Sequence, residues 1–535
     1  SARLASADFD PMGQRVFTLC SDGDLMEGIS SEAASLAGHW RLDNLVWLYD
    51  DNKITIDGRT ELAFTEDVAT RFAAFGWRVL RANGHDASSV RAALQAAGEG
   101  TEPKPTLIIC TTHIGLGSPN KVDTSGVHGS PLGDAELALV RQGLGWPEER
   151  FHVPADVTAW FAERQAAKKA ERAAWQAQYA AWRAAEPAKA ALFDQLWSGA
   201  VPADLWQTLV AAAPPAGATR KTSQKVITAA LAQVPGLVGG SADLTGSNGT
   251  EVKGGLVGAP GAAGEHYALS FGGRQIPFGI REHAMGAITN GMALHGGLKP
   301  FGATFLVFSD YERPAMRLAA LSHLPTLFVF THDSIFLGED GPTHQAVEHH
   351  WALRTIPNLA YWRPADGMEV GMAWAWALEQ TKRPAAFAFT RQDLPAIERP
   401  AGFDPQVIRQ GAYAVSDAAD PQVILVGTGS ELHLCTGAAE RLRADGLRVR
   451  VVSMPCVDLF LEQPEAVQEA LIPATHPAVV TVEAGITGPW RQIAGRRGLC
   501  IGLDRFGASA PAEVLAEKFG FTVDGVYARV KAFLG

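Results

Sequence analysis

Short, unbroken apolar runs recur along this sequence, separated by stretches whose apolar residues repeat at helical spacing. Arg15–Cys20, Leu45–Tyr49, Trp77–Arg81 and Thr106–Cys110 read as strands, with Ile29–Trp40, Thr65–Phe75 and Ser88–Ala97 as the helices between them. A strand that is apolar on every residue is covered on both faces, and strands that alternate with helices build parallel sheets. The pattern returns twice. Leu237–Gly240, Pro277–Ile280, Thr304–Phe308, Thr326–Thr331 and Ala385–Phe389 form a second set of expected strands. Gln422–Gly427, Arg448–Ser453, Ala478–Glu483 and Cys500–Leu503 form a third, closed by a helix at Val526–Leu534. The expected fold is therefore three consecutive doubly wound α/β domains. Their expected limits are 1–155, 218–400 and 401–535, with an Ala-rich helical linker over 156–217. In that linker Trp175, Tyr179 and Trp182 share one helix face.

Composition excludes several classes. Of 535 residues 47% are hydrophobic, enough for several cores and too much for a disordered chain. A dispersed net charge of −11 argues against nucleic acid as the main partner. No charge-free apolar stretch approaches the ~18 residues of a membrane span. The five cysteines, Cys20, Cys110, Cys435, Cys456 and Cys500, are scattered and form no CxxC pair. That usage suggests reduced thiols and a cytoplasmic protein.

Four segments concentrate chemistry. Ser21-Asp22-Gly23-Asp24-Leu25-Met26-Glu27-Gly28 follows the first strand and opens a helix. Tyr49-Asp50-Asp51-Asn52-Lys53-Ile54 follows the next, one strand–helix–strand unit later. Ligands of open parallel sheets bind at such carboxyl ends. Asp22 and the Asn52 amide oxygen offer hard donors of the kind Mg²⁺ takes alongside a diphosphate. The alternative is a helix cap at Asp22 and a turn at Asn52. Gly279-Ile280-Arg281-Glu282-His283-Ala284-Met285 places Glu282 where a strand passes into a helix, either as a cap or as a buried acid. The densest segment runs from Thr331-His332-Asp333-Ser334 to Gly338-Glu339-Asp340-Gly341-Pro342-Thr343-His344-Gln345. It suits proton transfer or substrate-hydroxyl contacts, a structural turn and a metal site being the other readings. Phe305, Phe308 and Tyr311 are core packing or a platform for a flat heteroaromatic ring. Arg220, Ser247 and Arg391 sit at element edges, and arginine is the natural bidentate partner of a phosphate.

These motifs, in this order and over essentially the whole chain, resemble transketolase, the thiamine-diphosphate enzyme of two-carbon ketol transfer. The carriers are SDGDLMEGISSEAASLAGH, YDDNKITIDG, GSPNK…VHGSPLG, GGSADL, GIREHAMGAI, THDSIFLGEDGPTHQ and FTRQDL. The resemblance implies thiamine diphosphate with Mg²⁺ (or Ca²⁺), sugar-phosphate substrates, and a homodimer with its active site at the subunit interface. It implies metal ligation by Asp22, Asn52 and the Ile54 carbonyl, with Gly23 at the diphosphate. Glu282 would hydrogen-bond the cofactor's aminopyrimidine, supported by Glu27 across the interface. Phe308 would stack on the ring, with Phe305 and Tyr311 beside it and Asp243 lining the site. His344 and His128 would flank the reacting hydroxyl and carbonyl. His332 and Asp340 would contact sugar hydroxyls, and Arg220, Ser247 and Arg391 would clamp the phosphate.

The sequence departs from the family at Ser21, Ser125 and Gly246, where glycine, histidine and proline are usual. The family also carries well over a hundred residues ahead of the first motif, with sheet strands and histidines. An exposed sheet edge is therefore expected here. A dihydroxyacetone synthase-type enzyme and a non-catalytic or split partial chain are the alternative readings. A deoxyxylulose-phosphate synthase would not carry the THDS segment. A pyruvate dehydrogenase subunit would need a different second domain. Carbon fixation and pentose-phosphate recycling both stay open.

Overall fold

The computed structural model describes residues 1–100 and 102–535. They fold into two compact units. The first comprises 1–193 with 258–272, the second 194–257 with 273–535.

The first unit holds a parallel sheet of β1 (Val16–Ser21), β2 (Leu45–Asp51), β5 (Arg78–Asn83) and β6 (Thr106–Thr111), in the order β1-β2-β6-β5. A small antiparallel hairpin, β3 (Ile54–Thr55) and β4 (Gly58–Arg59), follows β2. Successive residues of β6 serve opposite faces, as a pleated strand demands. Leu107 and Ile109 join one apolar cluster with Phe72 and Trp77, while Ile108 and Cys110 join another with Ala93 and Ala97. β1 is an edge and leaves Val16, Phe17 and Leu19 exposed. The Ala-rich segment forms the helices Ala155–Ala185, Pro187–Ser198 and Leu205–Ala212. Trp175, Tyr179 and Trp182 stack in succession on the first of these.

The second unit contains two sheets. β7 (Leu237–Ser241), β8 (Gln275–Pro277), β9 (Lys299–Phe305), β10 (Leu327–Thr331), β11 (Ala360–Trp362) and β12 (Ala385–Phe389) are all parallel, in the order β11-β12-β10-β9-β7-β8. β13 (Tyr413–Ser416), β14 (Val423–Gly427), β15 (Val449–Ser453), β16 (Val479–Val482) and β17 (Leu499–Ile501) run in the order β13-β15-β14-β16-β17, with only β13 antiparallel. Leu327 and Val329 of β10 face the large cluster shared with Val423 and Leu425 of β14, so one apolar core joins both sheets. Phe328 and Phe330 face the opposite side.

Two expected strands are corrected. The strand expected at Pro277–Ile280 is β8, which ends at Pro277. Proline donates no ladder hydrogen bond, and Gly279 turns the chain away with φ +68°. The strand expected at Thr304–Phe308 is β9, which starts at Lys299 and stops at Phe305. Leu306–Phe308 tightens into a 3₁₀ turn leading directly into the helix Ser309–Leu321.

Candidate active site

The first unit gathers one set of the sequence-identified residues at the carboxyl ends of β1 and β2. Asp22 is buried as the first residue of the short helix Asp22–Met26. The Tyr49 hydroxyl lies 2.5 Å from Asp22 Oδ1, and Asp22 Oδ2 accepts the Lys53 amide at 3.0 Å. That second bond brings the Asn52 turn onto Asp22, with Lys53 itself at φ +63°. Asn52 Oδ1 accepts the Ile54 amide at 2.9 Å. Burial raises the Asp22 carboxyl above its usual range, against the Tyr49 and Lys53 hydrogen bonds that lower it. A neighbouring cavity of about 430 Å³ is lined by Gly23, Met26, Glu27, Ile56 and His128 among others, so Glu27 and His128 share one opening.

No cluster of three or more His, Cys, Asp or Glu suited to a metal occurs among the described residues. A cation here would therefore rely on one carboxylate, one amide oxygen and backbone carbonyl, completed by phosphate and water. That is the donor set Mg²⁺ takes in phosphate sites, and the residues present fit it.

The second unit gathers another set at the carboxyl ends of β7, β9 and β10. Glu282 is buried as the first residue of the helix Glu282–His295, where the backbone dipole favours a carboxylate. Its Oε1 accepts a long 3.4 Å bond from Thr304 Oγ1. The Phe305 and Phe308 rings are nearly parallel with centroids 6.0 Å apart. Phe305 lies 3.8 Å from the His332 ring and Phe308 lies 5.6 Å from His344. Tyr311 is exposed, its ring 6.1 Å from Phe308.

His332 is held by a buried relay. Ser241 Oγ accepts from Asn248 Nδ2 at 2.9 Å, and Asn248 Oδ1 accepts from Thr331 Oγ1 at 2.8 Å. Thr331 has then spent its one proton, so at 2.8 Å its oxygen accepts from His332 Nδ1–H. Nε2 is left as an acceptor. Burial, and then the charges of Arg220 and Arg391, lower the His332 pKa to about 3. The imidazole is thus neutral at physiological pH, with its lone pair on Nε2. Its NMR signals should stay those of the Nδ1–H tautomer down to about pH 4; titration near pH 6.5 would contradict this arrangement. Between about 3 and 6.5 the unfolded chain binds a proton that the folded chain refuses. The contribution of His332 to stability is therefore present at neutral pH and is lost as pH falls through that window.

Arg220 Nη1 donates to the Ser247 carbonyl at 2.6 Å. Burial and then the like charge of Arg391 lower the Arg220 pKa. The charges of Arg220 and Arg391 thus both act on the neutral His332. Asp243 adopts a left-handed conformation (φ +62°) in the loop after β7, and Asp340 is exposed in the loop after β10. Among the described residues, neither makes a side-chain hydrogen bond to the others singled out by sequence.

Two features went unnoticed in the sequence. Glu312, on the helix Ser309–Leu321, is fully buried with neither carboxylate oxygen hydrogen-bonded. It lies against Gly286, where a Cβ would come within 2.8 Å of its Cγ, one turn along the helix from Glu282. Burial, then the Glu282 charge, raises its pKa well above the usual carboxylate range. Asp333, beside His332, enters a buried ion network with Arg363. A lone Glu on an amphipathic helix and an Asp in a polar loop both read as solvent-facing, and only their distant neighbours mark them otherwise.

Comparison with known proteins agrees with these features. Residues 1–202 match the transketolase thiamine diphosphate binding domain, 216–396 the transketolase pyrimidine binding domain, and 411–522 the transketolase-like C-terminal domain. A transketolase of Geobacillus stearothermophilus is 46% identical over 536 residues, covering 98% of this chain and 78% of the relative. The plasmid transketolase of Cupriavidus necator is 46% identical over 534 residues, with coverage of 98% and 78%. The transketolase structure from Leishmania mexicana superposes with TM-score 0.92 at 40% identity, covering 100% of this chain and 78% of that one. The Pichia stipitis transketolase in complex with sedoheptulose 7-phosphate gives the same values. The chain belongs to the transketolase family, enzymes that transfer a two-carbon ketol unit between sugar phosphates.

Proposed function

We propose that this chain transfers the ketol unit from a phosphorylated ketose such as xylulose 5-phosphate to an aldose phosphate such as ribose 5-phosphate. It would work as a homodimer whose active sites combine the two sets of residues across the subunit interface. What supports the phosphorylated-sugar reading is the half-buried Arg220, fixed to the Ser247 carbonyl, with the charge of the exposed Arg391 acting on both it and His332. Like charges that act on one another in this way favour an anion between them.

Thiamine diphosphate supplies the electron sink for breaking and remaking the bond beside a ketose carbonyl. Asp22, the Asn52 amide oxygen and the Ile54 carbonyl would hold Mg²⁺ against the diphosphate, with the Gly23 backbone alongside. Glu282 would hold a proton at the aminopyrimidine nitrogen, steadied by Glu27 of a second subunit. Phe305 and Phe308 would flank the ring, with Tyr311 and Asp243 at its rim. His344 and His128 would take a proton from the donor hydroxyl and return it to the acceptor oxygen. Nε2 of His332 would accept from a sugar hydroxyl, with Asp340 contacting another. Arg220, Arg391 and the Ser247 segment would seat the phosphate. Five unpaired, buried cysteines support a cytoplasmic setting, and no helix among the described residues is long and apolar enough to cross a membrane.

The test supplies the chain with thiamine diphosphate, Mg²⁺, xylulose 5-phosphate and ribose 5-phosphate, and measures sedoheptulose 7-phosphate. Absence of product would overturn the reading for this chain. Arg391→Ala should raise KM for xylulose 5-phosphate about 10-fold or more, as expected for losing a charged hydrogen bond. It should leave unphosphorylated xylulose unaffected. Equal effects on both donors would remove Arg391 from the phosphate site.

A further inference from the structure

The second unit has a cavity of about 560 Å³ at the end of the second sheet opposite the residues described above. Its walls come from the segments that lead into β7, β9, β10 and β12: Val234–Gly236, the stretch before Lys299, Ser322–Pro325 and Gln380–Lys382. Lys299 opens β9 and Phe305 closes it. At ~3.3 Å per residue, the cavity lies about 20 Å from the Phe305–His332 cluster. Its volume is that of a small-molecule pocket, which typically runs from about 300 to 1,000 Å³.

The lining combines apolar walls and neutral polar groups with no carboxylate side chain. Trp197, Val234, Leu294, Leu298 and Leu324 contribute the apolar surface. The Trp197 ring lies over Gly297, where a Cβ would approach within 2.9 Å of the indole. Gly297 also has φ +76°, so this platform needs glycine on two counts. The charged and titratable lining residues are Lys299, Lys382 and His323, with no Asp or Glu among them.

Lys299 is the decisive group. It is only 8% exposed, and its ammonium makes one hydrogen bond, a long 3.4 Å contact to the Gln380 carbonyl. The carboxylate whose charge acts on it, Glu379, is already held by both Nη atoms of Arg409. A buried ammonium without an anion is costly, and an anion entering the cavity would relieve that cost. We propose that this cavity binds a small amphiphilic monoanion. Its aromatic or branched apolar body would rest against Trp197 and Leu294, and its carboxylate or sulfonate head would pair with Lys299.

The probe is 2-naphthoate, titrated calorimetrically into the full chain, with 2-naphthalenemethanol as the uncharged control. Saturable 1:1 binding with Kd below about 1 mM is expected, at least about 10-fold tighter than the control. Lys299→Met should weaken 2-naphthoate at least about 10-fold while leaving the control unchanged, since only the charge pairing is lost. It should keep ketol-transfer activity, which also reports correct folding. Leu294→Trp, which fills the cavity from its rim, should abolish binding of both compounds. A crystal soaked with 6-bromo-2-naphthoate should show the bromine between Trp197 and Leu294. Absence of saturable binding, or naphthoate binding unaffected by Lys299→Met, would overturn the proposal. Lys299 would then be a packed stem whose head merely reaches the surface.

Discussion

Glu282→Gln lowers kcat for ketol transfer at least about 10²-fold, the range for losing a positioned acid–base group. Shape and burial are kept, because the amide is isosteric and the site is the first position of the helix Glu282–His295. What disappears is an oxygen that can share a proton. Folding should not suffer. Glu312, on the neighbouring helix against Gly286, has no hydrogen bond to either oxygen, and the Glu282 charge is one of the two causes raising its pKa. Removing that charge should leave the melting temperature unchanged or slightly higher. The combination of an inactive enzyme with undiminished stability is diagnostic. Steady-state rates at saturating thiamine diphosphate, with calorimetric melting of the same preparation, measure both. Activity within about threefold of the parent would sink the assignment of Glu282.

The second large effect concerns stability. Arg363→Met should destabilise the protein by about 3–5 kcal/mol, the cost of removing one partner from a buried ion pair. Arg363 is fully buried. Its Nε donates to Asp333 Oδ2 at 2.8 Å, and Nη1 donates to the Thr428 carbonyl at 3.1 Å and to Glu431 Oε2. Beside it Arg354 grips Glu483 with two bonds of 2.8 Å. Methionine would leave Asp333 and Glu431 buried without their cation. Urea denaturation, with the loss in midpoint converted through the slope, measures the cost. A loss below about 1 kcal/mol would mean that water or rearranged partners satisfy both carboxylates. The network also sets an acid limit. Burial alone would raise the Glu483 carboxyl, but the neighbouring arginines hold it at about 2. Its contribution is therefore present above the ordinary value of 4.5 and is lost as pH falls from there towards 2.

Much of the fold is legible in the sequence because its strands are buried on both faces. Runs such as Leu107–Cys110 and Val423–Val426 are apolar throughout and bounded by polar or turn residues. Their positions shift by only a residue or two between reading and structure. The reading fails where apolar character outlasts the sheet. Leu306, Val307 and Phe308 are as apolar as β9, yet they turn into the helix that follows. β11 and β13 went unread, being short edge strands without a long run to mark them. At the site, residues inside compact motifs were legible, because Asp22 and Asn52, or Phe305 and His332, follow neighbouring strands. Groups defined by remote partners were not. The partners of Arg363 lie in β10's exit loop and in segments after β14 and β16. No local spacing encodes such a convergence, and the same holds for the isolation of Glu312 and Lys299.

Asp333 is the residue next to His332, and its carboxylate is tied through Arg363 to Glu431. That ties the loop bearing His332 to the order of synthesis. A ribosome-bound chain that has completed β12 possesses every residue of the second sheet, but not yet the Glu431 and Glu483 that neutralise Arg363. A chain interrupted before Glu431 would carry the Asp333–Arg363 pair without either of the carboxylates that complete its buried network.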